Sequence, residues 1–296
     1  MTAMGLVGLD TSHAEAFADV LSGRDGASVR GVWDGGAVRD SDYVQSFCEE
    51  YGARRFDEPA AMVEAVDAAM VLTVDWKTHA ALAEPFLEAD VPTLVDKPLA
   101  GSFEDIATLE AAAGDTPLFG CSAVPFHEGF TALPSGGSER TLFAAGYNDY
   151  FYYRTHLADT VRFLADADWT EVVSSSEPGT TADVHFTNGV HATLRFDGSP
   201  EDATFSVLDI GETTRTVEME SSSEVLSRTY DRFLDAFLDV TSGNRDDTGR
   251  ILDSGRLALA IEAALAEGRS VTPDSPVLDT FEVTGESFLA DYDPYY

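Results

Sequence analysis

The chain has 296 residues, 44% apolar and 24% charged, which suits a globular protein of two ordinary domains rather than a disordered or fibrous one. Fifty-three Asp and Glu face eighteen Lys and Arg, a formal net charge of −35, which excludes direct nucleic-acid binding because phosphate contacts need a basic surface. No apolar run is long enough to span a bilayer, the first residues lack the basic start of a leader, and Cys48 and Cys121 form no CxxC pair, so a cytoplasmic protein without a disulfide framework is expected.

Along the first 120 residues short apolar runs alternate with helical patterns, as βαβ units and a parallel sheet require. Residues 4–9 read as a first strand, and a helix from about Ser12 carries Ala16, Phe17, Val20 and Leu21 on one face. A second strand over 27–33 ends at Asp34-Gly35-Gly36. A helix over 41–51, a short strand over 54–56 and a helical stretch over 58–66 come next. Residues 68–74 read as a fourth strand with a continuous apolar run over 68–72, as a buried parallel strand should have, and a helix over about 77–89 follows. Strand 93–95 delivers Asp96-Lys97-Pro98, and a helix over 102–113 and a strand over 117–122 complete the unit.

Beyond residue 122 the pattern changes. Residues 125–138 are rich in Gly and Pro and read as a linker or site loop. A strand over 141–147 and a helix over 152–164 precede four expected strands between 170 and 220. Around Thr187-Asn188-Gly189 a hairpin turns Ala182, Val184 and Phe186 toward Val190, Ala192 and Leu194, and sets His185 opposite His191 on the polar face. Two ligands without a third rarely hold a metal, so no metal site is expected there. Helices over 224–241 and 249–267 follow, the first with a stripe of Tyr230, Phe233, Leu234, Phe237 and Leu238. The C-terminal 291–296 segment reads equally as a partner tag or an ordered tail. The expected fold is α/β: a Rossmann-type parallel-sheet domain over 1–122, then an α+β domain with an open-faced antiparallel sheet over 123–296.

Three constellations carry chemistry. After the first strand, Gly8-Leu9-Asp10-Thr11-Ser12-His13 occupies the turn that a dinucleotide pyrophosphate uses in such folds. Gly8 matches the first glycine and Thr11 or Ser12 suits the helix cap, while Asp10 and His13 stand where the second and third glycines belong. A plain βα turn with an Asp or Ser cap is the alternative. Asp34, ending the second strand, suits the adenosine ribose hydroxyls and favours NAD over NADP, with Arg39 nearby leaving NADP open. Asp96-Lys97-Pro98 lies beyond the carboxyl end of a parallel strand, where open α/β sheets bind ligands, and its ammonium suits a carbonyl or hydroxyl. Only two lysines occur, Lys77 and Lys97, and a lysine retained in so lysine-poor a chain marks Lys97 as functional. His156, with Asp159 at i+3 to fix its tautomer and Tyr152, Tyr153 and Arg154 before it, suits proton transfer with a sugar or polyol.

These segments together resemble the glucose–fructose oxidoreductase/inositol dehydrogenase (Gfo/Idh/MocA) family. The likeness runs through Gly5-Leu6-Val7-Gly8, through Asp75-Trp76-Lys77-Thr78-His79 after the fourth strand, through Asp96-Lys97-Pro98 in place of Glu-Lys-Pro, and through His156. It implies NAD or NADP as cofactor, a sugar, polyol or related alcohol as substrate, Lys97 and His156 as the catalytic pair, and Thr73, Asp75 and His79 on the nicotinamide side. It also implies a homo-oligomer formed through the exposed sheet face. His156 is expected as general base and Lys97 as the group polarising the substrate. The family often places an Asp four residues before the histidine, where this chain has Tyr152. Two other readings stay open on sequence: elimination or glycosidase chemistry with a recycled cofactor, and a non-catalytic dinucleotide or sugar sensor. The dispersed acids, with sixteen Arg against two Lys, point to a salt-accumulating microbe, since molar salt shortens electrostatic range to about 3 Å.

Overall fold

The computed structural model describes residues 1–292 other than 176 and 178. Six parallel strands form the first sheet: β1 (Thr2–Val7), β2 (Ala27–Trp33), β3 (Arg54–Arg55), β4 (Ala68–Val71), β5 (Thr93–Asp96) and β6 (Leu118–Cys121). Their order is β3-β2-β1-β4-β5-β6, so the chain reverses direction across the sheet between β1 and β4. Ligands of open α/β sheets bind at that switch, beyond the carboxyl ends of the strands.

Alternation along the strands explains how the sheet is covered on both faces. Met4, Leu6, Met70, Leu94 and Phe119 point into one apolar cluster, and Val7, Ala69, Val71, Val95 and Leu118 into another. On the first face lie α1 (Ser12–Ser22) and α2 (Ser41–Tyr51), with Phe17, Val44 and Phe47 buried. On the other lie α3 (His79–Leu87) and α4 (Phe103–Ala113), with Phe86, Ile106 and Leu109 buried. A short α5 (Glu128–Thr131) sits in the 125–138 stretch.

The second sheet comprises β7 (Thr141–Tyr147), β8 (Trp169–Ser175), β9 (Thr181–Phe186), β10 (His191–Gly198), β11 (Thr204–Ile210) and β12 (Thr214–Glu220), with α6 (Phe151–Ala165) packed beside it. Five strands, rather than four, thus follow α6. The order β12-β11-β7-β10-β9-β8 makes the sheet mostly antiparallel, but β7 and β10 run parallel. The crossover through α6 and the β8–β9 hairpin brings β10 alongside β7 in the same direction, a non-local pairing that the sequence does not display. The β9–β10 hairpin has the expected register, with Ala192 opposite Val184 and His191 opposite His185.

Helix α7 (Ser223–Thr241) returns to the first sheet, where Phe233 and Phe237 join the cluster containing Phe17 and Phe119. Helix α8 (Thr248–Glu267) packs against α6, β8 and β6. A final segment with α9 (Glu286–Asp291) lies across Trp76, whose indole N–H donates to Val283 O at 2.8 Å. Of the C-terminal 291–296 segment, residues 293–296 lie outside the described residues.

Several element limits move for local reasons. The fourth strand stops at Val71 because residues 72–75 turn toward the site, where Val74 N–H donates to Asp10. The 58–66 stretch is a 3-10 helix over Pro59–Ala65. Asp75 caps a 3-10 turn over Trp76–Thr78 by accepting from Lys77 N–H, so α3 proper starts only at His79. Among the described residues no helix is long and apolar enough to cross a membrane.

Candidate active site

The carboxyl ends of five parallel strands supply the site. At the end of β1, Gly8 has φ +93°, and a Cβ there would lie 2.6 Å from Thr73 Cγ2 and 2.9 Å from Thr73 N. Only glycine tolerates both that dihedral and that approach, so the β1 turn and the β4 loop are pressed together here. Gly120 plays a similar part on β6, with φ +128° and room for no Cβ against Val95 O at 2.0 Å.

The turn after Gly8 closes over main-chain donors. Leu9 N–H donates to Asp34 Oδ2 and Gly36 N–H to Asp34 Oδ1, each at 2.8 Å. Asp34 therefore follows β2 with its carboxylate already oriented by the backbone. Asp10 is 2% exposed and accepts from Val74 N–H at 3.0 Å. Burial, opposed by that hydrogen bond and by Arg39 and reinforced by Asp34 and Asp75, lifts its carboxyl to about 6. Thr11 is the N-cap residue of α1, yet its buried hydroxyl makes no hydrogen bond among the described residues. Ser12 opens the helix behind it.

An orphaned hydroxyl, a glycine cradle and the free N–H groups of an eleven-residue helix together fit an anionic group lying over the start of α1. The Asp10 carboxylate, turned toward Val74, is an unfavourable charge there. Asp10→Asn keeps the acceptor and removes that charge. The raised carboxyl contributes stability below pH 3.8 that is lost as pH rises through about 6. The variant should therefore gain about 2–3 kcal/mol above pH 6 relative to the parent and no difference below pH 4. Urea unfolding at the two pH values checks this, and equal stabilities at pH 7.5 would refute it.

His13 does not face an open turn. Its Nδ1 lies 2.7 Å from Asp96 Oδ2, and its ring stacks on Phe17 at 5.1 Å and meets Tyr230 edge-on. In place of the third glycine, His13 ties α1 to the end of β5. Asp96 is 2% exposed and also accepts from Lys97 N–H; despite its burial, His13 and Lys97 hold its carboxyl below the usual range.

Lys97 is 5% exposed, with a cis Lys97–Pro98 peptide beyond it. Its Nζ sits 3.0 Å from the centroid of the Tyr152 ring, which in turn stacks on Phe288 of α9 at 4.4 Å. A ring quadrupole holds an ammonium without adding a formal negative charge. Burial, only partly offset by Asp96, pushes the Lys97 amine down to about 7. Tyr152 itself is buried, which drives its hydroxyl well above its ordinary range. The other lysine serves the fold instead, since Lys77 Nζ pairs with Glu282 at 2.7 Å and fastens the C-terminal segment over Trp76.

His156, on α6, is half-buried, and burial followed by Lys97 and His13 push its imidazole well below its ordinary pKa, so it is neutral. Its expected partner is displaced. Asp159 is fully buried and does not bond the His156 ring; it accepts from Ser122 N–H at 3.0 Å, Arg250 Nη1 at 2.5 Å and Ser254 Oγ at 2.7 Å. Ser122 Oγ, at the end of β6, meets His156 Nδ1 at 2.7 Å. The i+3 spacing puts Asp159 on the same side of the helix, but β6 inserts between the two side chains. The ring's partner is therefore a residue that the helix spacing did not point to. The signal available was position alone: Ser122 ends the last parallel strand as Asp96-Lys97 ends the one before. For Arg250, ninety-one residues from its partner, there was none.

Around the β4 loop, Thr73 and Thr78 hydroxyls meet at 2.7 Å, with Thr78 donating to Asp75 O. His79 is fully buried with Nε2 2.8 Å from Thr73 O and Nδ1 3.3 Å from Leu99 O. Instead of opening onto a nicotinamide, it pins the β4 loop to the Lys97–Pro98 loop. His185 and His191 stack at 4.8 Å across β9 and β10, remote from these groups in the sheet order. Among the described residues no group of three or more His, Cys, Asp and Glu side chains could hold a metal ion.

The fold defines an α/β architecture of Rossmann type with a second, mostly antiparallel sheet. Residues 2–118 match the model of the Gfo/Idh/MocA family, described as an oxidoreductase family with an NAD-binding Rossmann fold. Solved structures share the fold over nearly their whole length. GenD2 from gentamicin A biosynthesis, in complex with NAD, has a TM-score of 0.75 at 16% identity, covering 93% of this chain and 97% of that one. A myo-inositol dehydrogenase from Corynebacterium glutamicum has a TM-score of 0.75 at 14% identity, with 93% and 99% covered. A scyllo-inositol dehydrogenase from Lactobacillus casei, with bound NAD(H) and scyllo-inositol, has a TM-score of 0.70 at 13% identity, with 93% and 100% covered. Among curated proteins none matches the chain by sequence.

Proposed function

We propose that the protein is an NAD(P)-dependent dehydrogenase of a sugar, polyol or related secondary alcohol, with NAD the preferred cofactor. The observation that carries this reading is the convergence, at one switch point, of an anion cradle with a buried lysine and a neutral histidine. Thr11, Ser12 and the Gly8-Leu9 turn hold the pyrophosphate, and Asp34 the adenosine ribose. Thr73 and Asp75 border the nicotinamide side, and Asp96 holds Lys97 in place. The bound nicotinamide supplies the hydride acceptor or donor. Lys97 and His156 serve the substrate oxygen as an acid–base pair, and Tyr152 keeps the amine aimed. The solved structures with NAD and with scyllo-inositol support the substrate class by analogy of fold alone.

Phe143, Val173 and Ile210 are exposed on the second sheet, and we assign self-association to that outer face, with neither nucleic acid nor a membrane as partner. The chain's net charge of −35 suits a cytoplasm of molar salt, where self-repulsion is screened. The test is titration of NADH and NADPH in molar KCl, read by quenching of Trp33 and Trp76, followed by a screen of sugars and polyols for net NADH formation. Micromolar NADH binding with at least tenfold weaker NADPH is expected. No binding of either by folded protein would overturn the reading, and turnover without net NADH would favour recycled-cofactor chemistry instead.

A further inference from the structure

The hydrogen bonds around Ser122 place a proton. Ser122 is fully buried, and its Oγ accepts from Val124 N–H at 3.0 Å and lies 2.7 Å from His156 Nδ1. A serine hydroxyl has one proton and two lone pairs. Among the described residues Oγ makes no other hydrogen bond, so the acceptor for its own proton is Nδ1. A ring nitrogen that accepts leaves the imidazole proton on the other nitrogen. The backbone of Ser122 is held in turn by Asp159, which Arg250 and Ser254 anchor from α8.

We infer that Ser122 is a positioning residue that fixes His156 in the Nε2–H tautomer, so that His156 donates to the substrate oxygen while Lys97 takes the proton. This reverses the roles that spacing and resemblance suggest for the pair. The part concerning substrate rests on the dehydrogenase reading above; the tautomer does not. In alcohol oxidation the substrate O–H bond breaks and its proton forms a new N–H bond on the Lys97 amine, the C–H electron pair leaving as hydride to the oxidised dinucleotide. His156 keeps its proton and stabilises the oxygen throughout. The groups bearing on His156 are consistent with a neutral donor: Asp96 at the end of β5 and Lys97 just beyond it, His13 from α1, and the uncharged rings of Tyr153 on α6 and Phe205 on β11.

The test begins with the cofactor-free protein. Long-range 1H–15N correlations of the histidine rings, with His156 assigned by its loss in His156→Gln, should show Nε2 protonated and Nδ1 bare. Ser122→Ala should give a tautomer mixture, and Ser122→Thr, which keeps the hydroxyl, should restore the single form. A protonated Nδ1 in the parent protein would overturn the inference. With a substrate in hand, Ser122→Ala should lower kcat by about 10²-fold with dinucleotide affinity unchanged. The oxidation rate should rise with pH through about 7 in both the parent and His156→Gln, since Lys97 carries that titration. Loss of the inflection in His156→Gln would return the base role to the histidine. Failure to oxidise any alcohol, with the tautomer as stated, would sink the dehydrogenase reading and leave the Ser122 assignment standing.

Discussion

Lys97→Met lowers kcat by about 10²–10⁴-fold and leaves dinucleotide binding intact. Methionine matches the unbranched stem of the lysine and fills the same buried space, so the packing of Tyr152 on Phe288 survives. What disappears is the one amine near the switch point that burial brings to about 7. A second readout follows from linkage. The folded state releases the Lys97 proton near 7 and the unfolded chain holds it to 10.5, so between these values the unfolded state binds more protons and stability rises with pH. The methionine variant loses that increment, and its stability curve should be flatter between pH 7 and 10. Steady-state kinetics, a fluorescence titration with NADH and urea unfolding across that range check the three statements. A variant that keeps most of its turnover removes Lys97 from the chemistry.

Asp159→Ala costs about 3 kcal/mol of stability, against less than about 0.5 kcal/mol for Glu110→Ala, although both residues pair with an arginine. The difference is solvent. Asp159 is fully buried and Arg250 is 11% exposed, whereas Glu110 and Arg256 are 53% and 29% exposed. Removing Asp159 strands the Ser122 N–H and the Ser254 hydroxyl and leaves Arg250 with Asp247 at 3.8 Å and the face of Phe163 at 5.4 Å. Removing Glu110 returns Arg256 to water. Combining Asp159→Leu with Arg250→Met should recover the part of the loss that comes from stranding the Arg250 charge, while the Ser122 N–H and the Ser254 hydroxyl stay unpaired. It should not recover turnover, because Ser122 loses the acceptor that sets its backbone under His156. Urea unfolding and kcat measured on the single and paired variants separate the two effects. Equal losses for Asp159→Ala and Glu110→Ala would show that burial is not what strengthens this pair.

The parallel sheet was legible without coordinates, because buried parallel strands are largely apolar and alternate with helices, as Ala68–Val71 shows in full and Leu94–Val95 at the centre of its strand. The sequence also determined which residues stand at the carboxyl ends of the strands: Gly8, Asp34, Asp96 and Lys97 follow directly from where each apolar run stops. The β9–β10 register was legible for the same local reason, since a period of two fixes both faces once the turn is placed.

What those residues touch depends on segments far apart in the chain. His13 reaches across eighty-three residues to Asp96, and Asp159 meets Arg250 ninety-one residues on, pairings that no periodicity encodes. His79, expected beside a nicotinamide, became a buried staple between two loops. Tyr152, which occupies the place of a carboxylate in the resembling family, proved to be the aromatic face over Lys97. Helix spacing told which side chains share a side of α6, but β6 determines which of them can meet, and it inserts Ser122 between His156 and Asp159. Local pattern fixes where a side chain starts. The partner it finds depends on which strand end the fold carries to within hydrogen-bonding distance, and that is set by the packing of the whole chain.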